Sequence, residues 1–246
     1  MPKPYYQHAG ITIYCGDCRE VLPSLRFDLV LTDPPYQFEN SGGGFYGAWE
    51  GSMTGGGKAH NPRSYLNDLR DLNCVDCDPS TFLPLFGDAS TVIFCNKALI
   101  TDYITFAKNK NFLYDLHVMS KLNPIPVKSN HFVHDLEYIV LSRKKQSYFD
   151  DSGPLSQYRK FFQVQGGGSS TFHPAGKPTE LLSKYVYVLC PYDGTVVDPF
   201  MGSGSSLVSA KFHNRNAIGI EIEERYCEIA AKRLSQEVLD LQPATP

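Results

Sequence analysis

Two hydrophobic periods alternate along this chain. Ile11-Thr12-Ile13-Tyr14-Cys15 reads as a short strand ending in Gly16-Asp17, Cys18 to Leu25 as a helix, and Phe27 to Thr32 as a buried strand. Strand, helix, strand at this spacing predicts a parallel α/β unit. The pattern then stops: in residues 37–64, Ser41-Gly42-Gly43-Gly44 and Gly55-Gly56-Gly57 flank Phe45-Tyr46-Gly47-Ala48-Trp49. So much glycine is expected to make residues 37–80 a mobile insertion, a lid that orders on a ligand. Regularity returns with strands at 90–95, 114–122 and 136–142 and a helix at 98–109. Residues 146–172 show no clear period, and Gly166-Gly167-Gly168-Ser169-Ser170 reads as a hinge. Thr179 is expected to cap a helix over 180–189, followed by a strand at 195–198, a helix at 205–211, a strand at 216–222 and a terminal helix over 223–239. Seven strands alternating with helices predict a single α/β domain built on a doubly wound, mostly parallel sheet.

With 246 residues, 42% of them hydrophobic and 13% aromatic, the chain can bury a sizeable core within one such domain. It contains no long uncharged apolar stretch, so no membrane partner is expected. Met1-Pro2-Lys3-Pro4 opens no signal-peptide apolar region, and seven cysteines, an odd number, suit reduced thiols in a cytoplasmic setting. Net charge is −3, but it is unevenly spread: residues 97–177 carry +5, leaving −8 elsewhere. That asymmetry predicts a basic face on an acidic body. Arg143, Lys144, Lys145, Arg159 and Lys160 are its candidate phosphate contacts.

Two loops carry the chemistry. Asp198-Pro199-Phe200-Met201-Gly202-Ser203-Gly204 follows the strand Thr195-Val196-Val197, and its glycines permit close backbone approach to a ligand at a helix start. Glu221 ends the next strand, where an acidic side chain can accept both hydroxyls of a ribose. No Walker lysine follows, which disfavours a nucleoside triphosphate. Asp33-Pro34-Pro35-Tyr36 closes the other apolar run. Its prolines fix φ, and the Asp33 carboxylate with a prolyl carbonyl can accept both hydrogens of an exocyclic amine. Tyr36 offers a face on which an extruded base can stack.

These residues together resemble the beta class of amino-methylating DNA methyltransferases, which make N6-methyladenine or N4-methylcytosine from S-adenosylmethionine. Residues 33–36 are similar to the family's catalytic motif and 198–204 to its cofactor loop. Gly16-Asp17 resembles the cofactor-adenine site. His173-Pro174-Ala175-Gly176-Lys177-Pro178 resembles the segment preceding the cofactor loop. Gly219-Ile220-Glu221-Ile222, with Tyr226 and Arg233, resembles the strand and helix after it, and Asp135 to Val140 a strand near the catalytic pocket. The resemblance implies a Rossmann-like, circularly permuted methyltransferase fold of seven strands, one antiparallel near an edge. It further implies base flipping, with Asp17, His173, Lys177, Asp198, Pro199, Phe200, Gly202, Ser203, Gly204 and Glu221 around the cofactor. Two features depart from the family pattern: residues 146–172 leave little room for a separate target-recognition domain, so the resemblance to minimal members implies that this short segment and the Trp49 loop share DNA target recognition, and Lys121-Leu122-Asn123-Pro124 lacks the usual upstream tryptophan.

The resemblance makes double-stranded DNA the partner and adenine N6 the target, since Asp rather than Ser leads the catalytic motif. A cognate restriction endonuclease and a monomer or homodimer are compatible with it. The alternatives are N4-cytosine methylation, then RNA or protein-glutamine methylation, then a catalytically inactive DNA-binding subunit. Cys15-x-x-Cys18 with Cys74-x-x-Cys77, and His131-x-x-His134, have zinc-like spacing but read as free thiols, with Cys15 at a buried strand end, and as surface polar residues, so no metal is expected.

Overall fold

A computed structural model of the protein describes residues 2–35, 78–122, 132, 135–164 and 177–235. Its strands are β1 (Tyr6–His8), β2 (Ile11–Cys15), β3 (Leu29–Thr32), β4 (Ser90–Cys95), β5 (Leu113–Lys121), β6 (Leu136–Arg143), β7 (Phe161–Val164), β8 (Thr195–Asp198) and β9 (Asn216–Glu221). Its helices are α1 (Cys18–Val21), α2 (Pro79–Phe82), α3 (Ile100–Asn109), α4 (Thr179–Leu189), α5 (Ser205–Phe212) and α6 (Glu224–Ser235). The strands form one sheet in the order β1-β2-β9-β8-β3-β4-β6-β5-β7. The run from β2 through β9, β8 and β3 to β4 is parallel, while β6 lies antiparallel to both β4 and β5.

Alternation within the strands sorts side chains into two cores, one per face. Leu29, Leu31, Val92, Phe94, Ile139 and Leu141 point to the face covered by α4, α5 and α6. Val30, Ile93, Cys95 and Val140 point to the opposite face, where Leu22, Phe82, Phe86 and Tyr103 pack. β3 and β4 are buried along their whole length, as expected for central strands covered on both sides. α4 contributes Leu181, Leu182, Tyr185, Val186 and Leu189 to the first core.

All seven expected strands form, and two short ones extend the sheet. β1 pairs antiparallel with β2 through the tight turn Ala9-Gly10, at φ 47° and 78°. β7 pairs parallel with β5 at the other edge, so part of the segment without a clear period belongs to the sheet. Both are largely exposed edge strands of three and four residues, too short to impose a legible alternation. Three further expectations change. Thr179 is the first helical residue, following Pro178 at the N-cap, and makes no side-chain cap. The helix read over 18–25 is α1 continued by a 3-10 turn at Leu22–Ser24. Cys15 is exposed rather than buried at its strand end. The insertion read over 37–80 lies outside the described residues except for its last three, where Asp78 caps α2 by accepting from the Ser80 N–H.

No helix among the described residues is long and apolar enough to cross a membrane. Close packing is most demanding where α5 meets β9. A methyl group at Gly219 would collide with Met201 Sδ and come within 2.8 Å of Leu207. Gly219→Ala is expected to destabilise the fold by about 1–3 kcal/mol through overpacking, read as a lower urea midpoint with unchanged slope. A midpoint equal to that of the unsubstituted protein would refute this packing argument.

Candidate active site

The carboxyl ends of β2, β9, β8, β3 and β4 share one edge of the sheet, where Asp17, Asp33, the 198–204 loop and Glu221 sit. Asp33 follows β3 and the 198–204 loop follows β8, its direct neighbour. Ligands of open α/β sheets bind at such an edge, where connections depart to opposite sides.

Asp198 links the two loops. It is 6% exposed, and Thr32 Oγ1 at the end of β3 donates to its Oδ1 at 2.7 Å. The same oxygen accepts from the Phe200 N–H at 3.1 Å, and Oδ2 accepts from Ser206 Oγ at the start of α5. Burial pushes its carboxyl up to about 6 against the lowering effect of these three donors. Its side chain is therefore occupied in building the turn. Phe200 packs edge-on against Phe82 with ring centroids 5.2 Å apart, joining the turn to the opposite core.

The glycines act through backbone shape. Gly202 and Gly204 adopt φ of 49° and 80°, in the left-handed region that favours glycine. Phe200 N–H donates to Asp198, Met201 N–H to the Ile220 carbonyl, Gly202 N–H to Glu221 Oε2 at 2.9 Å and Gly204 N–H to the Met201 carbonyl. These four amides hold the loop together, so the expected cradle of ligand-facing donors is not made from them. Arg233 on α6 completes the support by donating to the Ser203 carbonyl at 2.6 Å and to Ser203 Oγ at 3.1 Å.

Glu221 accepts one N–H on each oxygen, Gly202 on Oε2 and Glu223 on Oε1, both at 2.9 Å. Burial raises its pKa, opposed by those amides. A carboxylate has about four lone-pair positions, so acceptor capacity for a diol remains after two are used. Gly16 N–H donates to the Glu221 carbonyl at 2.9 Å, placing Asp17 beside this strand end. Asp17 caps α1 through the Arg19 N–H and is held below the usual carboxylate range, chiefly by the Arg19 side chain. A turn shaped by two left-handed glycines beside two carboxylates fits a nucleoside bearing a ribose diol.

Around Asp33 lies a charge network that spacing alone does not reveal. Lys177 donates to Asp33 Oδ2, and its Nζ lies 3.3 Å from Glu137 Oε2 and 5.3 Å from the centre of the Phe94 ring. Lys121 pairs with Glu137 Oε1 at 2.5 Å. Burial would lower the Lys177 pKa, but Asp33 and Glu137 outweigh it and raise it. Burial would likewise raise Glu137, yet Lys177 and Lys121 bring it below its ordinary value. Lys177, expected at the cofactor, is thus engaged by the carboxylate expected to hold the substrate. Pro34 is buried and Pro35 half-buried. Tyr36, Trp49 and His173 lie outside the described residues.

The basic candidates do not gather at this edge. β6 runs opposite to the parallel strands, so Arg143, Lys144 and Lys145 at its carboxyl end sit at the far edge of the sheet from Asp33. There Lys144 pairs with Asp88 at 2.7 Å and Arg143 stacks over Phe149 at 4.7 Å. Lys160 precedes β7 and pairs with Asp115 at 2.5 Å, and the Arg159 carbonyl accepts from Lys184. Arg143 and Lys160 flank a cavity of about 260 Å³ between β5, β6 and α4, separate from the two loops. Adjacency in sequence had grouped these cations, and strand direction separates them from the site. Among the described residues no cluster of His, Cys, Asp and Glu is arranged to hold a metal, while Cys74, Cys77, His131 and His134 lie outside them.

The Asp198 carboxyl gives a pH signature. Its folded pKa stands above the unfolded value of 3.8, so its contribution to stability is fully present below that value and is lost as pH rises through about 6. Between these limits the protein should lose on the order of 2 kcal/mol relative to Asp198→Asn. Urea unfolding of both proteins across this range measures it, and a pH-independent difference would contradict the assignment.

A family model described as DNA methylase matches residues 27–232. The Type II methyltransferase M.HpaI of Haemophilus parainfluenzae is 38% identical over 246 residues, spanning 92% of this chain and 74% of that protein. The crystal structure of the M1.HpyAVI–SAM complex is similar with a TM-score of 0.63 at 24% identity, over 91% of this chain and 99% of that one. The cytosine-N4-specific PvuII DNA methyltransferase is similar with a TM-score of 0.67 at 17% identity, over 96% and 90% of the two chains. At those identities the two structures speak to the fold, a mostly parallel α/β methyltransferase sheet. With the family model running from the residues before β3 into α6, and a relative this similar across nearly the whole chain, the protein belongs to the N6/N4 DNA methylase family.

Proposed function

We propose that this protein transfers a methyl group from S-adenosylmethionine to the N6 amine of an adenine extruded from double-stranded DNA. The observation that carries the reading is the placement of Asp33 and the Gly202 turn at the ends of adjacent parallel strands, with Asp leading the catalytic motif. The donor supplies a methyl on a positively charged sulfonium, which is electrophilic without further activation.

The protein's task is then to make the amine nucleophilic and hold it in line. The amine lone pair of adenine is delocalised into the ring. Asp33 and the Pro34 carbonyl each accept one amine hydrogen, turning the lone pair out of conjugation and towards the methyl carbon. As the nitrogen attacks, the carbon–sulfur bond breaks with its electrons going to sulfur, and the nitrogen gains positive charge. The Asp33 carboxylate stabilises that charge, and the proton is lost from nitrogen after transfer. Tyr36 stacks on the extruded base. Glu221 takes the ribose hydroxyls of the donor while holding the Gly202 turn, with Asp17 beside its adenine and His173 completing the pocket. The PvuII enzyme has a similar fold and acts on cytosine N4, so the choice of adenine rests on the leading Asp33.

Asp33→Ala is expected to lower turnover by at least the ~10²-fold typical of a lost electrostatic stabiliser, measured as tritiated methyl transfer to duplex DNA. Turnover near that of the unsubstituted enzyme would count against the role of Asp33. Methylome sequencing of a host expressing the chain should find N6-methyladenine in one sequence context, whereas N4-methylcytosine would replace the adenine reading.

A further inference from the structure

Asp33, the carboxylate that would hold the substrate amine, already carries an amine of the protein itself on Oδ2. Lys177 Nζ and an exocyclic amine are both N–H donors, and both suit a carboxylate at the carboxyl end of β3. The two compete for that carboxylate during methyl transfer. The substrate nitrogen becomes positive as it reacts, and an ammonium on the same carboxylate would oppose that charge. Lys177 must therefore leave Asp33 without leaving the site, because its side chain is only 10% exposed and a stranded buried cation is costly.

The structure provides a place for it to go. Among the described residues, buried Glu137 Oε2 is in ion-pair range of Lys177 Nζ, 3.3 Å away, without a geometrically complete hydrogen bond. Lys121 holds the other oxygen of the same carboxylate and keeps Glu137 fixed and ionised. A shift of Nζ by a fraction of its present separation would complete the bond to Oε2 and release Lys177 from Asp33 Oδ2. The Phe94 ring beneath Nζ gives a cation a favourable surface along which to move.

We infer that Lys177 is a positioning residue that occupies the amine subsite of Asp33 until substrate enters, and that Glu137 receives it when the substrate amine displaces it. This rests on the reading of Asp33 as the amine acceptor. The arrangement keeps a half-buried carboxylate paired in the free enzyme. It also makes entry of a base conditional on an amine able to replace the lysine, so a base lacking that amine leaves the ion pair intact.

The test compares two DNA duplexes bearing the recognised site, one with adenine at the target position and one with purine, which lacks the 6-amine. Both are titrated in the presence of S-adenosylhomocysteine, and the affinity ratio isolates the amine contact. Lys177→Met removes the competitor while Lys121 still neutralises Glu137, and it should widen the adenine-over-purine ratio by about tenfold, the low range for a hydrogen bond to a charged group. Glu137→Gln removes the receiving carboxylate, holds Lys177 on Asp33, and should narrow the ratio. Affinity for S-adenosylmethionine alone should not change in either variant. A ratio unaltered or narrowed in Lys177→Met, a ratio unaltered in Glu137→Gln, or loss of S-adenosylmethionine affinity in Lys177→Met would each overturn the inference. Failure of the underlying reading looks different: the unsubstituted enzyme would then bind both duplexes equally.

Discussion

Everything at the candidate site depends on one buried carboxylate. Asp198 sits at the end of β8, accepts a hydroxyl from Thr32 on β3 and another from Ser206 on α5, and turns the chain through the Phe200 N–H. Those bonds join the strand that bears Asp33 to the turn that bears Gly202. A buried carboxylate is costly to keep charged, and three donors offset that cost only in part. The strain is confined to a position where the two loops must keep a fixed relation. Replacing it would leave two buried hydroxyls and an amide without their acceptor, each worth about 1–3 kcal/mol.

Around this link, the fold divides labour between two kinds of polar group. On the β8–β9 side, backbone amides and carboxylates satisfy one another: Gly202 and Glu223 N–H on Glu221, Arg19 on Asp17, Arg233 on the Ser203 carbonyl. That side is pre-shaped, which suits a ligand held by fit and by acceptors with unused lone pairs. On the β3–β4 side, charged side chains satisfy one another through Asp33, Lys177, Glu137 and Lys121. Ion pairs rearrange at lower cost than a backbone turn, which suits a site where an incoming group must replace one that is already there.

The far edge of the sheet has a different character. Lys144 with Asp88 and Lys160 with Asp115 are partly exposed pairs of the kind that contribute little to stability. The excess positive charge of residues 97–177 is consequently spread over both ends of the sheet. A stretch of sequence that reads as one basic face becomes several separated sites because β6 reverses direction between β4 and β5.

The sequence by itself determined the seven main strands, the long helices, the two chemistry-bearing loops and their order, because each leaves a local signature. Buried parallel strands are apolar runs such as Leu29-Val30-Leu31, and tight turns at strand ends demand proline or glycine. It did not determine the edge strands β1 and β7, which are too short for a period, nor the separation of Arg143 to Lys145 from the site, which follows from strand direction. Only the tertiary structure decided that Asp198 ties the turn to β3, that four of the loop amides bond within the fold, and that Lys177 rests on Asp33. Those are pairings between residues as far apart in the chain as Asp33 and Lys177, or Thr32 and Asp198. Nothing local records them, because a hydrogen bond or ion pair across that distance exists only once the sheet has brought its strand ends to one edge.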